Sequence, residues 1–301
     1  MSSTSRSASP TGTTRRRTRR LPAPAALAAT GLAATALVAG ATVPANAADR
    51  TPADLPPAAT ADGIPHPELD FAGSTVAAHE GAEDTAGIRS LYVTQTPGTD
   101  VSGWQGNVDW ATAAANGANF AYVKATEGTT YRNPYFAQQY NGSYNAGLIR
   151  GAYHFALPNR SSGGVQANYF VDHGGGWSPD GATLPPALDI EYNPYGATCY
   201  GLGQRDMVAW IHAFSDTVLA RTGRYPTIYT TTSWWTQCTG NNGDFGATNP
   251  LWIARYAPSP GTLPNGWAYQ TIWQYASSGT FPGDQDLFNG AYDRLQALAD
   301  G

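Results

Sequence analysis

From residue 98 onward, short apolar runs alternate with stretches of helical period. Residues 119–124, 149–155 and 186–191 read as buried strands, and 227–230, 251–255 and 269–275 follow in the same style. Helical patterns lie between several of them, at 108–116, 134–146, 165–171 and 205–221. The last places Val208, Ile211, Phe214, Val218 and Leu219 on one stripe. Gly117, Gly147 and Gly223 follow three of these helices, where a C-terminal cap favours glycine. Strand–helix alternation predicts an α/β fold with a mainly parallel sheet. Connections after residue 227 leave little room for helices. The prediction is therefore an irregular (β/α) TIM-like barrel with few or short helices after the later strands.

The pattern before residue 97 differs. Residues 48–96 are rich in Pro, Ala, Asp and Glu, and Pro56-Pro57, Pro65 and Pro67 interrupt any period. They read as a propeptide or linker without structure of its own, in which Leu91-Tyr92-Val93 has the makings of a docked edge strand. Residues 1–47 carry six arginines and no acid, an Ala-rich apolar run at 25–41, and Ala45-Asn46-Ala47 as a small-residue cleavage site. This predicts a signal peptide cleaved near Ala47, with the twin-arginine route permitted, and a secreted, extracellular product. A membrane anchor is the alternative; the run is weakly hydrophobic and short for a span. The catalytic domain is then 97–301. Its two cysteines, Cys199 and Cys238, are expected to pair outside the cell, worth roughly 4 kcal/mol in the chain-entropy model. Two buried thiols are the alternative.

Composition sharpens this division. All nine tryptophans fall between Trp104 and Trp273, and sixteen of seventeen tyrosines lie beyond Thr99. The formal charge of -5 hides the basic leader: from residue 48 onward there are 11 basic and 22 acidic residues. Such a surface repels phosphate backbones, so nucleic acid is excluded as a partner. Nothing beyond the leader suggests a membrane, and a monomer is expected. No nucleophile elbow, zinc motif or phosphate loop is present, so no cofactor and no metal is expected.

Four acids stand at or near predicted strand ends: Asp100, Asp189, Glu191 and Asp286. In parallel barrels, strand C-terminal ends carry function. Alternate strand residues face the same way, so Asp189 and Glu191 point together into the mouth while Ile190 points outward. Closely placed carboxyls titrate apart, and a protonated acid beside an ionised neighbour suits glycoside hydrolysis. The alternative is a structural ion pair or a solvated strand end.

The chain resembles glycoside hydrolase family 25, lysozymes that act as N-acetylmuramidases. The resemblance rests on Asp100-Val101-Ser102-Gly103-Trp104-Gln105-Gly106 and Tyr122-Val123-Lys124-Ala125-Thr126-Glu127-Gly128. It continues through Arg150-Gly151-Ala152-Tyr153-His154-Phe155, Asp189-Ile190-Glu191 and Trp273-Gln274-Tyr275. It implies a flattened barrel and cleavage of the β-1,4 bond between N-acetylmuramic acid and N-acetylglucosamine in peptidoglycan glycan strands. By the same resemblance, Glu191 is the general acid and Asp189 its partner at the sugar. Asp100 and Asp286 form an outer pair. The family's Val-Asp-Leu-Asn reads Gln285-Asp286-Leu287-Phe288 here, which leaves Asp284 as a rival.

Aromatic faces suit sugar C–H faces. Tyr153, Tyr122, Tyr192 and Trp273 are the expected contacts, with Trp234 and Trp235 at the cleft rim; core packing is the alternative for each. Lys124, the only lysine, pairs with Glu127 in the site floor or contacts substrate. His154 reads as a hydrogen-bonded barrel residue. A chitinase-like barrel competes, but residues 184–191 lack the first two aspartates of that family's Asp-x-x-Asp-x-Asp-x-Glu. A wall-binding protein without catalysis also competes, and the four acids argue against it.

Overall fold

The computed structural model describes residues 69–88, 91 and 94–301. The predicted signal peptide lies outside the described residues, as do Tyr92 and Val93 of the predicted edge strand. Nine strands occur among the described residues. They are β1 (Thr96–Val101), β2 (Phe120–Glu127), β3 (Tyr131–Arg132), β4 (Ile149–Phe155), β5 (Ala187–Asp189), β6 (Thr227–Thr230), β7 (Leu251–Ala254), β8 (Ile272–Ala276) and β9 (Asp284–Phe288). The sheet runs β1-β9-β8-β7-β6-β5-β4-β2-β3, and a parallel β1–β2 pairing closes it. The result is an eight-stranded barrel with β3 as a short antiparallel flap on β2. β9 runs antiparallel to both β8 and β1. That reversal follows from the brief β8–β9 connection, since a parallel return would need a crossover of a dozen residues or more.

The helices thin out as predicted. α1 (Val76–Glu80) precedes the barrel. α2 (Trp110–Ala115), α3 (Phe136–Asn145), α4 (Gly163–Asp172) and α5 (Gln204–Thr222) cover the early strands. α6 (Thr232–Thr239) is short, none separates β7 from β8 or β8 from β9, and α7 (Tyr292–Asp300) ends the chain. The helices α1, α6 and α7 and the strand β9 have no counterpart among the predicted elements. α5 stops at Gly223, whose φ of 75° lets its N–H close on the Leu219 carbonyl. α4 crosses α5 at Gly163, where any Cβ would strike the Trp210 carbonyl.

The sheet separates two apolar layers. Outside, Ile190, Ile228, Ile253 and Leu287 meet Phe170, Ile211 and Phe214 of the helices. Inside, the barrel is filled by large rings rather than by branched aliphatics: Phe120, Tyr122, Tyr153, Tyr229, Trp252 and Phe288. Trp252 sits centrally, 4.8 Å from Tyr122, 4.7 Å from Tyr229 and 6.3 Å from Tyr153 between ring centroids. Gly98 and Gly151 make room, since a Cβ at either would enter Phe120 or Tyr122. The aromatic bias of this half of the chain is thus largely a core requirement. Cys199 and Cys238 form a disulfide with a Cα–Cα distance of 5.3 Å, tying the β5–α5 loop to α6. Among the described residues, no helix is long and apolar enough to cross a membrane.

Candidate active site

The C-terminal ends of the parallel strands converge on a polar layer. Asp100 rises from β1, Asp189 ends β5 and Glu191 follows two residues on. All three are buried. Ile190 joins the outer core, so Asp189 and Glu191 share the inner side, as strand alternation requires. β9 supplies two further acids. Its register sets Asp284 opposite Asp100 and Asp286 opposite Gly98, so Asp286 lies one layer deeper.

On β2 a register shift between Lys124 and Thr126 matters more than the alternation. Ala125 packs in the outer core and Thr126 bonds the outward His154 at 2.8 Å. The extra residue returns Glu127 to the inner side, where it meets the Lys124 ammonium at 2.6 Å. Strict period two would have sent them to opposite faces. Lys124 also pairs with Asp70 at 3.0 Å, and the Tyr195 hydroxyl lies 3.2 and 3.3 Å from the two acids, within donating reach of either. Burial opposes the lysine's charge, but Asp70 and Glu127 outweigh it and raise its pKa. Burial, then the charge of Asp70, pushes Glu127 well above the carboxylate range, because two acids share one cation.

The remaining acids are also held far from their ordinary ionisation. Burial raises Asp100 to about 7, against hydrogen bonds to Gln274 and Asp286. Gln274 donates to Asp100 at 2.8 Å and accepts from Tyr229 at 2.8 Å, with the Tyr256 hydroxyl 3.1 Å from the same amide oxygen. Asp286 is raised by burial and by the charge of Asp100; it accepts from Trp252 at 2.9 Å, and its contact with Asp100 requires a shared proton. Asp284 is raised by burial, then by Asp100 and Asp286, and the Tyr256 hydroxyl lies 3.4 Å from it.

Glu191 is raised to about 8 by burial, although the Gly73 N–H and Thr75 hydroxyl donate to it at 2.7 and 2.8 Å. Asp189 is raised well above the usual range by burial, then by Glu191. Neither of its oxygens has a hydrogen-bond partner. A buried carboxyl without a donor is costly, and such groups concentrate where a ligand supplies the missing bond.

Other expected contacts divide. Tyr153 faces the acids, its hydroxyl accepting from the Ala72 N–H at 3.3 Å. Tyr192 stands beside Glu191 and stacks on His79 at 4.0 Å. Four of the expected positions are corrected. Tyr122 points down the barrel, donating to the Pro185 carbonyl at 2.8 Å at the entry to β5, so it is core. Trp273 turns outward and donates to the Arg255 carbonyl at 2.9 Å; its neighbour Gln274 is the inward residue of that motif. Trp235 is fully buried on α6, edge-on to Phe245 and Trp267, not on a rim, and Trp234 is buried beside it. Apolar flanks cannot reveal strand parity; the Gln274–Asp286 pairing across the β8–β9 ladder does. His154 bonds Thr126 and Gln166 against α4, and burial lowers it to about 3. Sequence reasoning missed Gln274, Tyr229, Tyr256 and Tyr195. Only Gln274 carried a signal, as the polar centre of an aromatic motif.

A carboxyl with a raised pKa beside an unpartnered one at a barrel mouth is an arrangement that glycoside hydrolysis can use. Residues 99–284 match the model of "Glycosyl hydrolases family 25". The chain is 52% identical over 208 residues to the "N,O-diacetylmuramidase" of Chalaropsis sp, covering 68% of this chain and 99% of that protein. It is 48% identical over 224 residues to "Lysozyme M1" of Streptomyces globisporus, covering 73% and 74% of the two chains. The solved muramidase of Acremonium alcalophilum superposes with a TM-score of 0.68 at 60% identity, over 68% of this chain and 99% of its own. The chain belongs to glycosyl hydrolase family 25.

Proposed function

We propose that the exported, mature protein is a lysozyme that cuts the β-1,4 bond between N-acetylmuramic acid and N-acetylglucosamine in bacterial peptidoglycan. Glu191 is the general acid: burial raises its carboxyl to about 8, and it stands at the mouth where a leaving oxygen would meet it once Gly73 and Thr75 give up their bonds to it. Asp189 receives the substrate acetamido N–H and stabilises the positive charge that develops at the sugar. Asp100 and Asp284, level with each other, form the outer pair, and Asp286 holds the proton shared with Asp100. This transfers the outer role from Asp286 to Asp284. Tyr153 and Tyr192 flank the sugar, and the Lys124–Glu127 pair braces the floor. The relatives named muramidase and lysozyme support the substrate class.

The observation that carries the reading is geometric: Asp189 and Glu191 share the inner side of the barrel mouth, and neither oxygen of Asp189 has a partner. The test is mass-spectrometric analysis of digested peptidoglycan. New reducing ends at N-acetylmuramic acid are expected. Reducing ends at N-acetylglucosamine, or cleavage of chitin alone, would refute it.

A further inference from the structure

We propose that residues 69–88 are a built-in inhibitor, a segment of the chain that occupies its own saccharide groove until cleavage in the exposed stretch 81–84 releases it. The inference rests on reading the Glu191 layer as the active site.

The segment has too few apolar residues to fold alone, and the barrel mouth supplies its structure. Ala72 and Val76 enter the aromatic interior and are fully buried. The backbone between them passes through the acidic layer. The Gly73 N–H and the Thr75 hydroxyl take one oxygen each of Glu191, at 2.7 and 2.8 Å. Both oxygens of the proposed acid are therefore engaged by the chain itself. Gln274 donates to the Ala72 carbonyl at 3.0 Å, and Tyr256 to the Gly73 carbonyl at 3.1 Å. Further out, His79 lies parallel to Tyr192 at 4.0 Å, on the face a sugar ring would take, while Tyr192 donates to Glu80 at 2.7 Å. At the other end Asp70 pairs with Lys124. Acid, aromatic platform and floor cation are engaged at once, so sugar and segment cannot bind together.

Two features mark a fitted occupant. Gly73 has φ of 88°, and a Cβ there would meet Tyr256, Gln274 and Tyr229, so only glycine seats. The two oxygens of Asp189 stay unpartnered beneath the segment, which blocks the groove without reproducing the donor that substrate would bring. The exit is open to attack: residues 81–84 are exposed and lack regular structure, before Ile88 returns to the outer core. The solved Acremonium muramidase aligns over 99% of its own chain with 68% of this one, a share about the length of the barrel without the segment.

The experiment uses the full chain with a specific-protease recognition sequence inserted after Ala82. Hydrolysis of peptidoglycan is measured before and after cleavage. Binding of the product disaccharide, N-acetylglucosaminyl-N-acetylmuramic acid, is measured by calorimetry on the same samples. Cutting removes a tether whose effective concentration is on the order of millimolar, so about tenfold or greater gains in hydrolysis and binding are expected after dilution. Gly73→Val, which cannot seat, is expected to match the cleaved protein without any protease. Equal hydrolysis and equal binding before and after cleavage would overturn the inference and leave the lysozyme reading standing. No gain in either after cleavage, from an inactive start, would overturn it too. A gain in disaccharide binding without hydrolysis would uphold the occupied groove and sink the assignment of the reaction.

Discussion

The floor and the mouth of one barrel are built from the same strands and obey opposite rules. In the floor, every ring hydroxyl or indole N–H finds a fixed partner: Tyr122 with Pro185, Trp252 with Asp286, Tyr229 with Gln274. In the mouth, Asp189 has none, and Asp100, Asp284 and Glu191 are acids buried where ionisation is disfavoured. The floor is arranged for stability. The mouth stores unfavourable desolvation for a ligand to relieve, a usual cost of preorganised sites.

The contrast can be broken most forcefully at the acid. In the cleaved enzyme, Glu191→Gln is expected to lower peptidoglycan hydrolysis by about 10²–10⁴-fold, read as release of reducing ends, with the melting temperature unchanged or raised. Rates near wild type would reassign the proton donor. In the floor the opposite pattern is expected. Trp252→Ala removes the central ring and should cost about 3–5 kcal/mol in urea unfolding; a smaller loss with selective damage to activity would erase the floor–mouth distinction.

The mouth acids should also show in the response to pH. Burial raises Asp100 from its ordinary 3.8 to about 7 and Glu191 from 4.5 to about 8 in the folded chain. Between those limits the folded state holds protons that the unfolded state has released. Stability is therefore full at the acid end and declines as pH rises from about 4 to 8, by up to about 1.4 kcal/mol per pH unit for each such group. Asp100→Asn is expected to flatten that slope, while Tyr122→Phe lowers the whole curve by about 1 kcal/mol. A slope unaltered by Asp100→Asn would remove the aspartate from the mouth's account.

Finer comparisons sharpen the boundary. Asp284→Asn, at mouth level, is expected to reduce hydrolysis about tenfold more than Asp286→Asn, a layer below, within the usual reach of charge-stabilising groups. The reverse order would return the outer role to Asp286. The smallest effect is expected at Trp273→Phe, which faces away from the groove: less than about threefold in rate, with a modest stability loss, since one neutral hydrogen bond is worth about 1 kcal/mol. A large change in the Michaelis constant would mean that Trp273 meets substrate after all.

Much of the scaffold was legible beforehand. Apolar runs located β2, β4, β6, β7 and most of β8 because buried strands are apolar on both faces. α5 announced itself through its stripe and its closing glycine. β9 was hidden because Asp284, Gln285 and Asp286 break the apolar run that reveals a buried strand. The acids at β1 and β5 were legible through their motifs. The inward role of Gln274 was not, because Trp273 and Tyr275 dominate the motif and parity is set by the partner strand.

By itself, the sequence determined the barrel class, the family, the cysteine pair and the Asp189–Glu191 couple, because local periodicity and covalent spacing already contain them. Only the tertiary structure decided which carboxyls share a layer, where the β2 bulge turns Glu127 back inward, and that residues 69–88 lie across the acids. These depend on contacts between segments up to about two hundred residues apart, such as that from Gln274 to Ala72. No local pattern encodes such contacts, since their energy exists only once the strands have closed around them.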